Sequence, residues 1–143
     1  FILNTNHHNF LETNVRPYNT IIHCMATKDN KLWLSFGVMG GFQQPQGHLQ
    51  VISNMVDYNL DPQDALDALR FSIDVQSMET IYVEEDLDKK IITDLVNKGH
   101  KIEIVSGNER IMFGGGQICQ INSETGVISV GTEPRKDGSA LAF

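Results

Sequence analysis

A charge-free run from Leu32 to Val56, LWLSFGVMGGFQQPQGHLQVISNMV, limits how this chain can fold more than any other stretch. It contains no Asp, Glu, Lys or Arg, whereas a solvent-facing segment of that length normally carries charge. The run is therefore expected to pass through the centre of the molecule. Its pattern reads as strand, glycine turn, helix. Leu32, Leu34, Phe36 and Val38 fall on one face of a strand, and Gly37, Gly40 and Gly41 permit a sharp turn. A helix is predicted to start near Pro45, with Leu49, Ile52, Ser53 and Val56 on one side. Backbone N–H groups without partners gather where a strand feeds a helix through Gly-Gly, which suits an anion or an oxyanion. The spacing of Gly40-Gly41 leaves two readings open: that cradle, or a tight turn with close packing.

The flanking sequence is expected to build a mixed α/β domain from residues 1–143. Ile21 to Thr27 and Leu32 to Val38 read as strands joined by a tight hairpin at Asp29-Asn30. Asp61-Pro62 caps and opens a helix. Thr80 to Glu84 is a strand. A helix capped by Asp86 follows, with Leu87, Ile91, Ile92, Leu95 and Val96 on its apolar side and Gly99 as its stop. Lys101 to Val105 is a strand, and Gln117 to Asn122 and Gly126 to Val130 make a second hairpin. The order β-β-α-α-β-α-β-β-β does not alternate regularly and argues against a doubly wound parallel sheet. Residues 1 to 56 carry only Glu12 and Asp29 as acids, so that part reads as core and site, and 57 to 98 as an outer layer of solvated helices. The opening Phe1-Ile2-Leu3 reads as a strand already under way, which implies a segment of a longer polypeptide.

Several function classes are disfavoured. A net charge of −7 with no basic run argues against nucleic acid and anionic membrane surfaces. No apolar run reaches the ~18 residues of a membrane span. His7, His8, His23, His48 and His100 lack zinc-ligand spacing, so no metal is expected, and no cofactor is implied. Cys24 and Cys119 read as two buried free thiols. A P-loop would need Gly-Lys-Ser/Thr after the glycines, and a dinucleotide fingerprint a different glycine spacing. Phe113-Gly114-Gly115-Gly116-Gln117 reads as a flexible loop entering a strand, and Glu84-Glu85-Asp86 as a solvated turn. No nucleophile elbow surrounds Ser35, Ser53 or Ser72.

Taken in order, four groups of residues resemble the γ-glutamyltranspeptidase family across essentially the whole chain. They are Arg16-Pro17-Tyr18-Asn19-Thr20-Ile21-Ile22, the run Phe36 to His48, Asp64 to Phe71 with Lys98-Gly99-His100, and Glu133 to Ala140. The resemblance implies a segment of a four-layer αββα N-terminal-nucleophile hydrolase, from the later part of the small subunit. In that family a proenzyme cleaves itself, and the new N-terminal Thr attacks a γ-glutamyl amide to give an acyl-enzyme. The nucleophile would then lie upstream of Phe1, since Thr5, Thr13 and Thr20 are internal and lack a free α-amine.

Carried over by position, Gly40 and Gly41 match the oxyanion-hole glycines. Asn19 and Thr20 match two serines that hold the substrate α-carboxylate. Asn6 and Asn9 stand where a Glu and an Asp bind the α-ammonium, and two amides remove the charge that attracts it. This departure resembles the acylase-like branch, which includes cephalosporin and glutaryl acylases. The implied partners are the rest of the same proenzyme and a small γ-glutamyl or acyl amide. A non-catalytic homologue that binds small acidic or amide ligands is the alternative from a different class.

Overall fold

The computed structural model describes residues 2–141. Two sheets organise them. Strands β1 (Cys24–Lys28), β2 (Lys31–Met39), β6 (Gly115–Ile121) and β7 (Ile128–Thr132) form an antiparallel sheet in the order β1-β2-β6-β7. Strands β3 (Phe71–Ile73), β4 (Thr80–Glu84) and β5 (Lys101–Val105) form a second sheet, antiparallel between β3 and β4 and parallel between β4 and β5. Helices α1 (Gln43–Val56) and α2 (Pro62–Asp67) follow β2, and α3 (Lys89–Asn97) connects β4 to β5. A 3-10 helix, Gly107–Phe113, leads into β6.

Local chemistry accounts for most boundaries. Asp29 and Asn30 adopt φ of 52° and 60°, the left-handed pair that a two-residue hairpin requires. Asp61 accepts from the N–H groups of Gln63 and Asp64, both at 2.9 Å, with Pro62 at the first helical position. Gly99, at φ 92°, ends α3. The second hairpin closes through Asn122 and Gly126. In each case the residue type that the local backbone demands is present.

The core joins the first sheet to α1 and α2 through Leu34, Phe36, Val38, Val51, Met55, Ala65, Leu66 and Ile118. The charge-free run is thus central. Leu34, Phe36 and Val38 are buried as expected, but Leu32, at the hairpin end, is exposed. The buried face of α1 is Gln43, Gln44, Gly47, Val51 and Met55, not the side carrying Leu49 and Val56, which are exposed. The helix begins at Gln43, two residues before Pro45, and that start together with the close approach of Gly47 to Val38 sets its rotation.

Other expectations are corrected. Asp88, not Asp86, caps α3, its carboxylate accepting from Lys90 N–H at 2.7 Å. Ile2 makes a single bridge to Phe10 rather than a strand, and Phe1 lies outside the described residues. Most of residues 3–23 are exposed rather than core. Cys119 is exposed, because its side of β6 is not the one facing α1, and Cys24 is half-buried; both are free. The Gly114-Gly115-Gly116 run is buried and opens β6, so it is a packed element and not a flexible loop. Glu84 is fully buried beneath arginines rather than solvated. The three-residue β3 had no period of its own to reveal it.

Candidate functional site

The site is assembled at the end of β2. Gly40 (φ 147°) and Gly41 (φ 59°) occupy conformations that side chains with a Cβ rarely adopt. Their carbonyls accept from Gln43 N–H and Gln44 N–H, both at 3.1 Å, which turns the chain directly into α1. Among the described residues, the N–H groups of Gly40, Gly41 and Phe42 have no acceptor. Two carbonyls committed to the helix and three unpaired donors make a local electropositive turn, suited to a developing oxyanion.

An open cleft of about 530 Å³ borders this turn. Thr20, Ile22, Gly37, Gln44, Gly115 and Gln117 line it together with Gly40 and Gly41. Thr20 therefore shares a cleft with the Gly-Gly turn. Asn19 lies next in the chain, its carboxamide folded onto the backbone N–H and C=O of Ile21 at 3.4 and 3.5 Å. Asn6 and Asn9 do not line the cleft. They lie in the turn between Ile2 and Phe10, where Asn6 N–H donates to Asn4 Oδ1 and Asn9 N–H to His7 Nδ1, both at 3.0 Å. Among the described residues, no group of three or more His, Cys, Asp or Glu side chains is placed to hold a metal ion.

Behind the turn sits a buried charge network that sequence reasoning missed. Arg70 Nη1 donates to Glu133 Oε2 at 2.8 Å and to Phe113 O at 3.2 Å, and Gly116 N–H donates to the same Glu133 oxygen at 2.7 Å. Arg135 bridges Glu133 (2.7 Å) and Glu84 (2.7 Å through Nη2, with a further bond from Nε). Burial pushes the Glu133 carboxyl up, but Arg70, Arg135 and the Gly116 N–H outweigh it and hold the group below the usual carboxylate range. Burial likewise opposes the charge on Arg135, yet Glu84 and Glu133 keep its pKa above the ordinary value. The network fixes the start of β6, and Gly114 then packs on the turn: a Cβ at Gly40 would lie 3.1 Å from Gly114 Cα. Arg70 and Glu84 lie far from Glu133 and Arg135 in the chain, so no local pattern in the sequence signals their pairing.

The model of the family described as gamma-glutamyltranspeptidase matches residues 1–143. The chain is 33% identical to the glutathione hydrolase-like YwrD proenzyme of Bacillus subtilis, across 100% of this chain and 27% of that protein. Among solved structures it resembles cephalosporin acylase from Bacillus halodurans, with TM-score 0.85 and 44% identity over 100% of this chain and 26% of that one. It also resembles a gamma-glutamyltranspeptidase of Helicobacter pylori, with TM-score 0.76 and 28% identity over 90% of this chain and 67% of that one. The chain spans about a quarter of the length of the first curated relative it matches, 27%. Its mixed α/β architecture is that of a segment of the N-terminal-nucleophile hydrolase sandwich. The chain belongs to the gamma-glutamyltranspeptidase family.

Proposed function

We propose that this chain supplies the oxyanion-stabilising half of an amide hydrolase or acyltransferase that works through an acyl-enzyme. The observation that carries the reading is the Gly40-Gly41 turn, with its unpaired N–H groups on a cleft shared with Thr20. The nucleophile would be an N-terminal Thr from another stretch of the same protein. Its hydroxyl oxygen bonds to the amide carbon, and the carbonyl electrons move onto oxygen. The N–H groups of the turn stabilise that charge, the C–N bond breaks, and the amine leaves with a proton. Water or a second amine then takes the acyl group. One such donor is worth ~2.7–4 kcal/mol of barrier. Asn19 and Thr20 would orient the acyl donor through hydrogen bonds, and the resemblance alone would add Asn6 and Asn9 to that set, since they do not line the cleft.

A second reading, an acylase of non-amino acyl amides, is supported by two observations. Asn6 and Asn9 are uncharged at the positions that the family resemblance assigns to two ammonium-binding carboxylates, and the chain is 44% identical to a cephalosporin acylase. The full-length protein should be assayed on γ-glutamyl and glutaryl anilides. A clear preference for the γ-glutamyl compound removes the acylase reading. Turnover of neither, by a protein whose precursor does not split, removes catalysis and leaves a small-ligand-binding homologue.

A further inference from the structure

From Glu12 to His23 the chain lies outside any strand or helix. Among the described residues, the hydrogen bonds that this stretch receives from elsewhere come from one side chain, that of Gln44. Gln44 Nε2 donates to Thr20 O at 2.7 Å, and Ile22 N–H donates to Gln44 Oε1 at 3.2 Å. The carboxamide thus acts on Thr20–Ile22 as one rung of a neighbouring strand would. The backbone of the same residue is engaged at the oxyanion turn, where its N–H donates to Gly41 O at 3.1 Å. Its carbonyl lies 2.6 Å from His48 Nδ1, one helical turn on. Gln44 is buried, and all four of its polar groups have partners.

We infer that Gln44 is a positioning residue that registers the acyl-donor segment Asn19-Thr20 against the Gly40-Gly41 turn. This rests on the reading of Asn19 and Thr20 as donor-binding residues. The geometry divides its two tasks. The backbone N–H holds the turn and survives substitution of the side chain, whereas the carboxamide alone holds Thr20–Ile22. Removing the carboxamide therefore loosens substrate binding and leaves the oxyanion turn in place. Gln50 provides the contrast, because it makes a similar carboxamide clamp on a different side of α1. Its Nε2 donates to Phe71 O at 3.0 Å, and its Oε1 accepts from Phe71 N–H at 2.9 Å. That clamp joins α1 to β3 and touches neither Thr20 nor Gly41.

The test uses the full-length protein with Gln44→Ala, Gln44→Glu, Gln50→Ala and Asn19→Ala on the preferred anilide substrate. The Gln44 substitutions should raise KM about tenfold with kcat within about threefold, the pattern of lost uniform binding. Gln50→Ala should lower the melting temperature and leave KM unchanged. The Gln44→Ala, Asn19→Ala double variant should raise KM by less than the product of the two single effects, because both act on one segment. Should Gln44→Ala not fold, the near-isosteric Gln44→Glu decides, since it keeps an acceptor for Ile22 N–H but sets an oxygen against Thr20 O. A fall in kcat at unchanged KM overturns the inference, as does a KM effect equal to that of Gln50→Ala. If Asn19→Ala raises KM and the Gln44 variants do not, only the role of Gln44 fails. If Asn19→Ala leaves KM unchanged, the donor-binding reading fails and the inference with it.

Discussion

Arg70 and Glu133, 63 residues apart in the chain, meet at 2.8 Å with side chains that are each about 1% exposed. The pair joins the segment between α2 and β3 to the end of β7, and through Phe113 and Gly116 it fixes the start of β6. A buried pair of this kind contributes modest net stability but is costly to break from one side, because the surviving charge stays desolvated.

Arg70→Met should therefore destabilise the protein by about 3 kcal/mol, toward the lower end of the range for a broken buried pair because Arg135 still reaches Glu133. Denaturant unfolding of the full-length protein measures this. Adding Glu133→Met should restore part of the loss, since no charge is then stranded.

Glu133 also predicts a pH dependence. Its folded pKa lies below the unfolded value, so its contribution is fully present above about pH 4.3 and is lost as the pH falls through the folded value. Glu133→Gln lowers stability at neutral pH. The stability curves of wild type and variant should converge in acid, and parallel curves would contradict the assignment.

The two glycines of the turn should respond differently to alanine. At Gly40 a Cβ would lie 3.1 Å from Gly114 Cα and 3.3 Å from Gln43 Cβ, so the turn must shift and its donors move with it. At Gly41 nothing lies within 4 Å, and the cost is only the left-handed backbone, about 1–2 kcal/mol. Gly40→Ala should lower kcat by about 10²–10³, as for a lost oxyanion donor, and Gly41→Asn, which tolerates that backbone, should retain most activity.

Gly47→Ala tests the seat of α1. Alanine favours a helix by about 1 kcal/mol over glycine. The added Cβ, however, would stand 2.6 Å from Cγ1 of Val38, a fully buried residue that cannot yield. Overpacking costs about 1–3 kcal/mol, so the balance should be destabilising by about 1 kcal/mol in thermal unfolding.

Much of this architecture was legible in the residues. The hairpin at Asp29-Asn30, the cap at Asp61, the stop at Gly99 and the strands 80–84 and 101–105 each follow from chemistry within a few positions. Charge-free composition marked 32–56 as the run that supplies the core, through Leu34, Phe36, Val38, Val51 and Met55, although Leu32, Phe42, Leu49 and Val56 are exposed, and the order of motifs marked the family. The rotation of α1 was not legible, because Gly47 and two glutamines occupy its buried face and carry no apolar signal. Strand β3 escaped for a related reason. Gln46 and Gln50 bind the backbone of Ile73 and Phe71 along its outer edge, and no periodicity within Phe71–Ile73 reports that.

The turn at Asp29-Asn30, the cap at Asp61, the stop at Gly99 and the glycine pair Gly40-Gly41 were legible from residue type and nearest neighbours, whereas the cap of α3 fell at Asp88 and not Asp86. Tertiary structure alone decided which polar groups are buried. Glu84, expected in a solvated turn, is buried because Arg135 closes over it, and Gln44, which no local pattern marks, is set apart by its bonds to Thr20 and Ile22. Burial and pairing of polar groups depend on residues far apart in the chain, and only the fold brings those together.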